Sequence, residues 1–394
     1  MSDPIVIVSA ARTPMGSFQG ALSPLSTTDL GAEAIKAAVS RSGINAEDIQ
    51  EVMMGCVLPA GLGQAPARQA AIKGGLPLSA GCTTINKVCG SGMKTVMLAH
   101  DAIASGSVDI VVAGGMESMT NAPYILPKAR GGMRMGHGTV IDHMFMDGLE
   151  DAYFDKGGLM GTFAEATADK YKTTRQEQDD FAIESLNRAK QATEAGYFKD
   201  EIEPLTVKNR KSETIVESDE QPFKVDTNKI PNLRPAFRPD GTVTAASSSS
   251  ISDGAAALVL MRKSEADKRG LKPLASIKAH ATHSQEPCWF TTAPVGAIEK
   301  VQAKAGWSTN EVDLYEINEA FAIVTLAAIK DLNLDPAKVN VNGGACALGH
   351  PIGASGTRLI VTLLHALKRT GGSKGIASLC IGGGEATALA VELI

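Results

Sequence analysis

Two cysteines and one histidine of this 394-residue chain lie in glycine-rich segments. Cys89 lies in NKVCGSG, Cys380 in SLCIGGGE and His350 in NGGACALGHPIGASG. A thiol that a neighbouring base activates is a common nucleophile, and glycine-rich loops expose backbone N–H groups that can stabilise an oxyanion. Together the three segments predict covalent chemistry on an acyl group.

Cys89 is predicted to lie between a strand and the N-terminus of a helix, where free N–H groups and the helix dipole stabilise a thiolate. The competing interpretation is a small buried hydrophobic residue, the usual role of a free cysteine. The Gly-Ser-Gly that follows Cys89 favours the reactive interpretation. The remaining cysteines lack this combination and are interpreted as structural: Cys56, Cys82, Cys288 and Cys346.

His350 lies between a glycine and a proline, where the backbone can approach a ligand closely. A base for Cys89 is therefore favoured over a surface histidine. Cys380 precedes three glycines at a predicted strand end, so it is either a core residue that caps the sheet or a second thiol that exchanges protons with carbon. Asn318 and Glu319, at a strand-to-helix junction, are by default a helix cap; the compatible alternative is an Asn that orients a water or donates to an oxyanion.

Composition limits the fold and excludes some functions. With 44% hydrophobic residues, 40 glycines and only 4% aromatic residues, the chain has an α/β composition. A net charge of -5 argues against nucleic-acid binding. Six cysteines without a close pair indicate reduced thiols, and therefore a cytoplasmic protein. The N-terminus has no basic n-region and no apolar run approaches the roughly 18 residues of a membrane span, so no membrane association is expected.

Other binding motifs are weak or missing in the sequence. His280, His283 and Cys288 imitate the spacing of metal ligands, but without a fourth ligand they are interpreted as strand and loop residues. Neither a P-loop nor a dinucleotide-binding G-x-G-x-x-G follows a predicted strand.

Strand and helix patterns alternate in both terminal parts of the chain, which predicts sheets covered by helices on both faces. Similar glycine-rich loops recur about 264 to 268 positions apart, which indicates two related halves. Residues from about 122 to 250 differ, with long polar loops that are typical of an inserted substrate lobe. Strands are predicted at residues 5–9, 51–55, 83–86, 109–115, 312–317, 339–342, 375–380 and 386–393, and helices around 30–39, 93–105, 175–195, 320–332 and 357–368.

A series of motifs resembles the thiolase family, in family order and over nearly the whole chain. They are NKVCGSGMK, GGMESM, LRPAF, SDGAAAL, NEAFA, GGACALGHPIGASG and CIGGGE. The resemblance implies an α/β fold, a duplicated five-layer αβαβα arrangement with an inserted loop domain, usually in a homotetramer or homodimer. It implies an N-terminal half at residues 1–121 plus 251–273, a loop domain at 122–250 and a C-terminal half at 274–394.

The activity that the resemblance implies is acetyl-CoA C-acetyltransferase, the reversible Claisen condensation of two acetyl-CoA to acetoacetyl-CoA and CoA, in fatty acid metabolism. Coenzyme A thioesters are then substrates, and neither a cofactor nor a metal is expected. Two alternatives stay open: a degradative 3-ketoacyl-CoA thiolase of broad chain length, and a non-catalytic thiolase-fold protein that binds acyl-CoA or lipid. A decarboxylating ketoacyl synthase is disfavoured, because that group has a second histidine where this chain has Cys380.

By resemblance, Cys89 is the nucleophile, His350 its base and Cys380 the acid/base at the substrate α-carbon. Asn318 and His350, with a water, match one oxyanion hole. The backbone N–H groups of Cys89 and Gly382 match the second.

The expected substrate contacts depart from the common short-chain pattern. The family's His-Met-Gly is Leu159-Met160-Gly161 here, which keeps Met160 as a wall of the acyl pocket. Trp289 and Phe290 replace smaller residues and are expected to reshape that pocket. The remaining assignments are Leu159 and Phe321 to the substrate, Ser249 to the pantetheine, and Lys224 or Lys229 to the CoA phosphates.

Overall fold

The computed structural model describes residues 3–153, 158–208 and 212–394. The strands are β1 (Ile5–Arg12), β2 (Gly16–Ser17), β3 (Glu51–Gly55), β4 (Gly81–Ile85), β5 (Ile110–Ser118), β6 (Tyr124–Ile125), β7 (Ile141–Asp142), β8 (Leu205–Lys208), β9 (Glu213–Val216), β10 (Ser252–Arg262), β11 (Ala275–Ser284), β12 (Leu314–Ile317), β13 (Lys374–Ile381) and β14 (Glu385–Leu393). The α-helices are α1 (Thr27–Ser42), α2 (Pro66–Lys73), α3 (Ser91–Ala104), α4 (Met160–Tyr171), α5 (Arg175–Glu194), α6 (Lys263–Lys268), α7 (Ala293–Ala305), α8 (Ala322–Asp331), α9 (Ala345–Leu348) and α10 (Ser355–Thr370).

Two half-sheets with the same strand directions join into one ten-stranded sheet, in the order β12-β13-β14-β11-β1-β10-β5-β3-β4, with β2 beside β10. In the N-terminal half, β10 is antiparallel to β1 and β5, and β3 is parallel to β5 and β4. In the C-terminal half, β14 is likewise antiparallel to β11 and β13, and β12 is parallel to β13. The two half-sheets join through two paired positions of β1 and β11. Because the strand directions are the same in both half-sheets, the repeat suggested by the loops extends to the sheet.

Three hydrophobic cores separate five layers. Helices α3 and α10 lie in the middle and share a core with strands of both halves. Helices α1 and α2 cover the outer face of the N-terminal half-sheet, and α7 and α8 cover that of the C-terminal half-sheet. Side chains of β1 alternate between the central and outer cores, because successive strand residues face opposite sides. The predicted αβαβα arrangement is therefore confirmed.

Most predicted elements occur, with boundaries that differ by a few residues. The strand predicted at residues 339–342 is wrong: only Val339 forms an isolated bridge, with Tyr315. The side chain of Asn340 takes the place of a strand neighbour, because its amide exchanges two hydrogen bonds of 2.8 Å with the backbone of Ile317. Asn340 itself has φ of 49°, outside the extended region.

Residues 119–251 connect the neighbouring strands β5 and β10. This segment is anchored by a buried guanidinium, since Arg12 of β1 forms ion pairs with Glu201 at 2.6 Å and Asp219 at 2.7 Å. Removing one partner would leave a buried charge uncompensated, which makes this contact a strong constraint on the position of the segment. Within the described residues, no helix has both the length and the apolar character needed to cross a membrane.

Candidate active site

Cys89 lies in the turn between β4 and α3, beside the last loop of the sheet. Its sulfur is half-buried and accepts a hydrogen bond from the backbone N–H of Gly382. Burial nevertheless raises the pKa of Cys89 to about 11, because desolvation outweighs the N–H donors. The sequence predicted that the helix N-terminus would stabilise a thiolate. The N–H donors there are not sufficient, so the Cys89 thiol needs a base.

His350 lies buried in the loop between α9 and α10, with both ring nitrogens engaged. Ser355 donates its hydroxyl to the Pro351 carbonyl at 2.9 Å, so its oxygen is left to accept from His350 Nδ1–H at 2.5 Å. This arrangement places the ring proton on Nδ1 and the lone pair on Nε2. The Nε2 atom lies 3.5 Å from Asn318 Nδ2. Because Nε2 carries no proton, it can act as a base.

The electrostatic surroundings keep His350 neutral. Burial, reinforced by the positive charge of Arg358, lowers the pKa of His350 to about 3. Arg358 is itself fully buried on α10, 3.6 Å from the Glu316 carboxylate. A neutral imidazole beside a protonated thiol is therefore the resting state of the pair, and proton transfer accompanies attack on the substrate.

The His350 loop is held against the N-terminal half of the fold. Glu117 at the end of β5 accepts hydrogen bonds from the backbone N–H groups of Val57 at 2.9 Å and Gly353 at 3.0 Å. Gly115 permits the close approach, because a Cβ at this position would lie 2.1 Å from the Gly353 oxygen. The GGMESM motif thus positions the loop that carries the base.

Asn318 follows β12 and is fully buried. Its predicted role as a helix cap is wrong: α8 begins after Phe321, whose side chain makes no cap hydrogen bond. The Asn318 Nδ2 atom instead points at His350, and its Oδ1 accepts no hydrogen bond from the described residues. Glu319, the other cap candidate, accepts from Ser185 at 2.7 Å and braces the junction.

Cys380 lies on β13, fully buried and electrostatically coupled to Cys89. Burial, and then the neighbouring Cys89 sulfur, raises the pKa of the Cys380 thiol well above its ordinary value. Such a thiol is a strong base once it has lost its proton. The second thiol predicted from the sequence thus lies beside the first, in an environment suited to proton exchange.

An apolar pocket of about 230 Å³ opens over these groups, with Cys89, His350 and Gly382 in its wall. Four of the residues predicted to contact substrate also line it: Leu159, Met160, Ser249 and Phe321. The volume is below the roughly 300–1,000 Å³ of a drug-sized site. The pocket is therefore suited to a small acyl group rather than to a whole nucleotide cofactor.

Three other predicted contacts lie outside this pocket. Lys224 pairs with Glu220, and Lys229 is largely exposed near Asp226. The expectation for Trp289 is wrong, because its ring stacks under the ammonium of Lys170, 4.1 Å from the centroid, away from the pocket. Its neighbour Phe290 does line the pocket, as expected.

Sequence reasoning missed several residues of the site. Phe145, Leu149 and Phe237 also line the pocket. Phe237 ends the LRPAF motif, whereas Phe145 and Leu149 lie in none of the motifs that resemble the family. The role of Ser355 was not predicted either. A hydroxyl five residues after a candidate base, at the start of a helix, is a signal from which this contact could have been predicted.

We expect Ser355→Ala to lower kcat roughly 10²-fold with little change in KM, since general bases contribute ~10²–10⁴-fold and this one loses the acceptor that sets its tautomer. Steady-state thiolysis of acetoacetyl-CoA, the substrate that the resemblance implies, measures the effect. Thr357→Val is the matched control, because its buried hydroxyl on the same helix donates to Gly92 and not to His350. An unchanged kcat in a folded Ser355→Ala protein would refute the positioning role.

Known proteins of one family resemble this chain over nearly its whole length. The models of the thiolase N-terminal and C-terminal domains match residues 5–264 and 271–393. Acetyl-CoA acetyltransferase 2 of Arabidopsis thaliana is 52% identical over 99% of this chain and 97% of its own length. Acetyl-CoA acetyltransferase of Rhizobium meliloti is 51% identical over the whole of both chains. The crystal structure of the Acat5 thiolase from Ascaris suum, in complex with coenzyme A, superposes with a TM-score of 0.94 at 43% identity and covers 99% of this chain and 100% of that one. The chain belongs to the thiolase family.

Proposed function

We propose that the chain is an acetyl-CoA C-acetyltransferase, which condenses two acetyl-CoA to acetoacetyl-CoA and CoA and also runs in reverse. Full-length similarity to two enzymes of that name supports the assignment. The observation that carries it is that the half-buried Cys89 thiol and the neutral imidazole of His350 line one small apolar pocket, with the buried Cys380 thiol close enough to Cys89 to feel its charge.

In the first half-reaction, His350 Nε2 takes the proton of Cys89 as the sulfur attacks the thioester carbonyl of acetyl-CoA. The bond between the acetyl carbon and the CoA sulfur breaks, and His350 returns the proton to the leaving thiolate. The N–H groups of Cys89 and Gly382 stabilise the oxyanion, which is typically worth about 10²- to 10³-fold in rate per donor. The product is acetyl-Cys89 and free CoA.

In the second half-reaction, a second acetyl-CoA binds, Cys380 gives its thiol proton to His350, and the resulting thiolate removes a proton from the α-carbon of the substrate. Asn318 and His350, whose Nδ2 and Nε2 atoms lie 3.5 Å apart, stabilise the negative charge that develops on the enolate oxygen. The enolate carbon attacks the acetyl group, a carbon–carbon bond forms, and the bond to the Cys89 sulfur breaks. His350 passes its proton to the Cys89 sulfur and Cys380 keeps the proton from the α-carbon, which restores the free enzyme.

The shape of the pocket favours a four-carbon substrate over the alternative of a broad-chain degradative thiolase. Phe290 and Phe321 stand 6.5 Å apart, centroid to centroid, and close the pocket with Met160. Both phenylalanines are almost fully buried, so neither swings away without disturbing the core around them. A longer acyl chain therefore meets aromatic walls.

We expect kcat/KM for CoA-dependent thiolysis to be at least about tenfold higher for acetoacetyl-CoA than for 3-ketooctanoyl-CoA, since pocket contacts are worth roughly 10- to 200-fold per methylene. Phe290→Ala should reduce this preference by opening the wall. Trp289→Ala is the matched control, an adjacent aromatic residue outside the pocket. Equal wild-type values for both substrates would instead identify a broad degradative enzyme.

Ser249 lines the pocket, and its N–H donates to the Ala320 backbone oxygen, which supports its assignment to the pantetheine arm. Lys224 or Lys229 is assigned to the CoA phosphates. The reaction needs no cofactor or metal. The chain divides into halves at 1–121 plus 251–273 and at 274–394, with a loop domain at 122–250. It forms a homotetramer or homodimer, and its six free cysteines fit the cytoplasm.

A protein of another class, a silent thiolase-fold binder of acyl-CoA or lipid, would lack a catalytic group. Cys89, His350, Asn318 and Cys380 are all present and adjacent, which favours the enzyme. Failure of the wild-type protein to turn over either substrate would restore the binding hypothesis.

A further inference from the structure

A cluster of two imidazoles and one carboxylate lies outside the active site, where helix α3 meets strand β11. His100 and Asp101 are neighbours on α3, and His280 lies on β11. Asp101 Oδ1 is 3.0 Å from His100 Nδ1 and 2.9 Å from His280 Nε2. The two ring nitrogens are 3.3 Å apart.

Hydrogen bonds cannot satisfy the carboxylate oxygen and both ring nitrogens at the same time. The carboxylate oxygen only accepts, and each ring nitrogen is either a donor or an acceptor. If both nitrogens carry protons, two N–H groups face each other; if only one does, the other nitrogen turns its lone pair toward the carboxylate. Every protonation state leaves one repulsive contact, whereas a cation at the centre would be attracted to all three atoms.

We propose that His100, Asp101 and His280 bind a divalent first-row transition metal ion of the zinc type. Bonds of about 2.0–2.2 Å to such an ion, at tetrahedral or octahedral angles, place ligand atoms roughly 2.8–3.6 Å apart. The three observed separations, 2.9, 3.0 and 3.3 Å, match this range. Imidazole with carboxylate is a donor set for zinc, iron, cobalt or nickel rather than for calcium or magnesium.

The surroundings of the cluster allow a metal ion to enter and affect how tightly the ion binds. The Asp101 side chain is 54% exposed, so an ion can enter from solvent and water can complete its coordination. The ammonium of Lys304 donates to the backbone oxygen of His280 at 2.9 Å and opposes the cation. The sequence had paired His280 with His283 and Cys288, but His283 contacts Gln285 instead.

Binding would connect the two halves of the fold. His100 and Asp101 lie in the part that matches the thiolase N-terminal domain, and His280 in the part that matches the C-terminal domain. The cluster lies about 14 Å along α3 from the helix start beside Cys89, too far for a direct role in the reaction. We therefore expect the metal to stabilise the folded chain without changing the chemistry.

The test is a titration of the chelator-treated protein with Co²⁺, whose visible absorption reports its ligands. The wild type should bind one equivalent at this cluster, with d–d bands but without a cobalt–thiolate charge-transfer band. Its melting temperature should rise until the site is saturated, as for any ligand of the native state. His280→Gln and Asp101→Asn should each weaken binding by at least the ~10- to 100-fold that loss of a metal's outer partners costs.

His137→Gln is the matched control, since His137 is an exposed histidine outside the cluster and its replacement should leave binding unchanged. Thiolysis of acetoacetyl-CoA by each metal-free variant checks folding and should match the wild type. Three results would overturn the proposal: no Co²⁺ binding at millimolar concentration, equal binding by wild type and by folded Asp101→Asn, or a thiolate band that assigns the metal to cysteine.

Discussion

Replacing Cys89 by Ala is expected to abolish both condensation and thiolysis, with kcat at least about 10⁴-fold below the wild type. A nucleophile that acts as a unit with its base shows losses of this size or larger when it is removed. Substrate binding should persist, because the pocket wall consists mainly of apolar side chains that the change leaves in place. Steady-state thiolysis of acetoacetyl-CoA and the Kd of CoA measure the two effects separately.

Cys82→Ala is the control for this experiment. Cys82 is likewise a half-buried free thiol, but it lies on β4 outside the pocket and near Arg68. Its replacement should leave kcat within a factor of about two. Substantial turnover by Cys89→Ala would mean that another group carries the acyl intermediate.

Replacing Cys380 by Ala is expected to separate the two half-reactions. Carbon–carbon bond formation should fall roughly 10²–10⁴-fold, the contribution of a positioned acid or base. Acetylation of Cys89 should continue, because His350 and the Gly382 N–H serve that step and remain in place. Acetoacetyl-CoA formation measures the first effect and release of CoA from acetyl-CoA, in a single turnover, the second.

The control for this change is Cys56→Ala, which removes an equally buried thiol that contacts Glu117 and lies outside the pocket. This variant measures how much activity is lost when a small cavity is created in the core. Equal losses of acetylation and condensation in Cys380→Ala would contradict the division of roles. Retained condensation would exclude Cys380 as the base at the α-carbon.

The reactive residues could be predicted from the sequence because they lie in glycine-rich turns. Cys89, His350 and Cys380 each follow or precede glycines that allow close backbone approach, and this signal is local. The alternation of strands and helices was local as well, so most elements of both half-sheets could be predicted. The need for glycine at a position such as Gly115 becomes clear only when the loop that packs against it is known.

Properties that depend on distant contacts could not be predicted. Local rules suggested a lowered pKa for Cys89 at a helix terminus, but burial by the rest of the fold raises it. The strand predicted at residues 339–342 failed because the Asn340 side chain bonds the backbone of Ile317, more than twenty positions earlier. Trp289 and Phe290 are adjacent in sequence, yet only the packing decides that Phe290 faces the pocket.

The partners of His280 show the same limit. Spacing along the chain pairs this residue with His283 and Cys288, and that set lacks a fourth ligand. The fold instead brings His100 and Asp101 of α3 to within hydrogen-bond distance of His280. A cluster formed across the two halves has no sequence signature, because its members are far apart in the chain.

The central claim is that Cys89 carries the acetyl group, and peptide mass spectrometry tests it most directly. The protein is incubated with acetyl-CoA, quenched in acid and digested with trypsin. Cleavage after Lys87 and Lys94 places Cys89 in the peptide 88–94, and cleavage after Lys374 places Cys380 in the peptide 375–394. We predict one acetyl group on peptide 88–94, removed again by added CoA; acetyl found only on peptide 375–394, or on neither while the enzyme turns over, would contradict the mechanism.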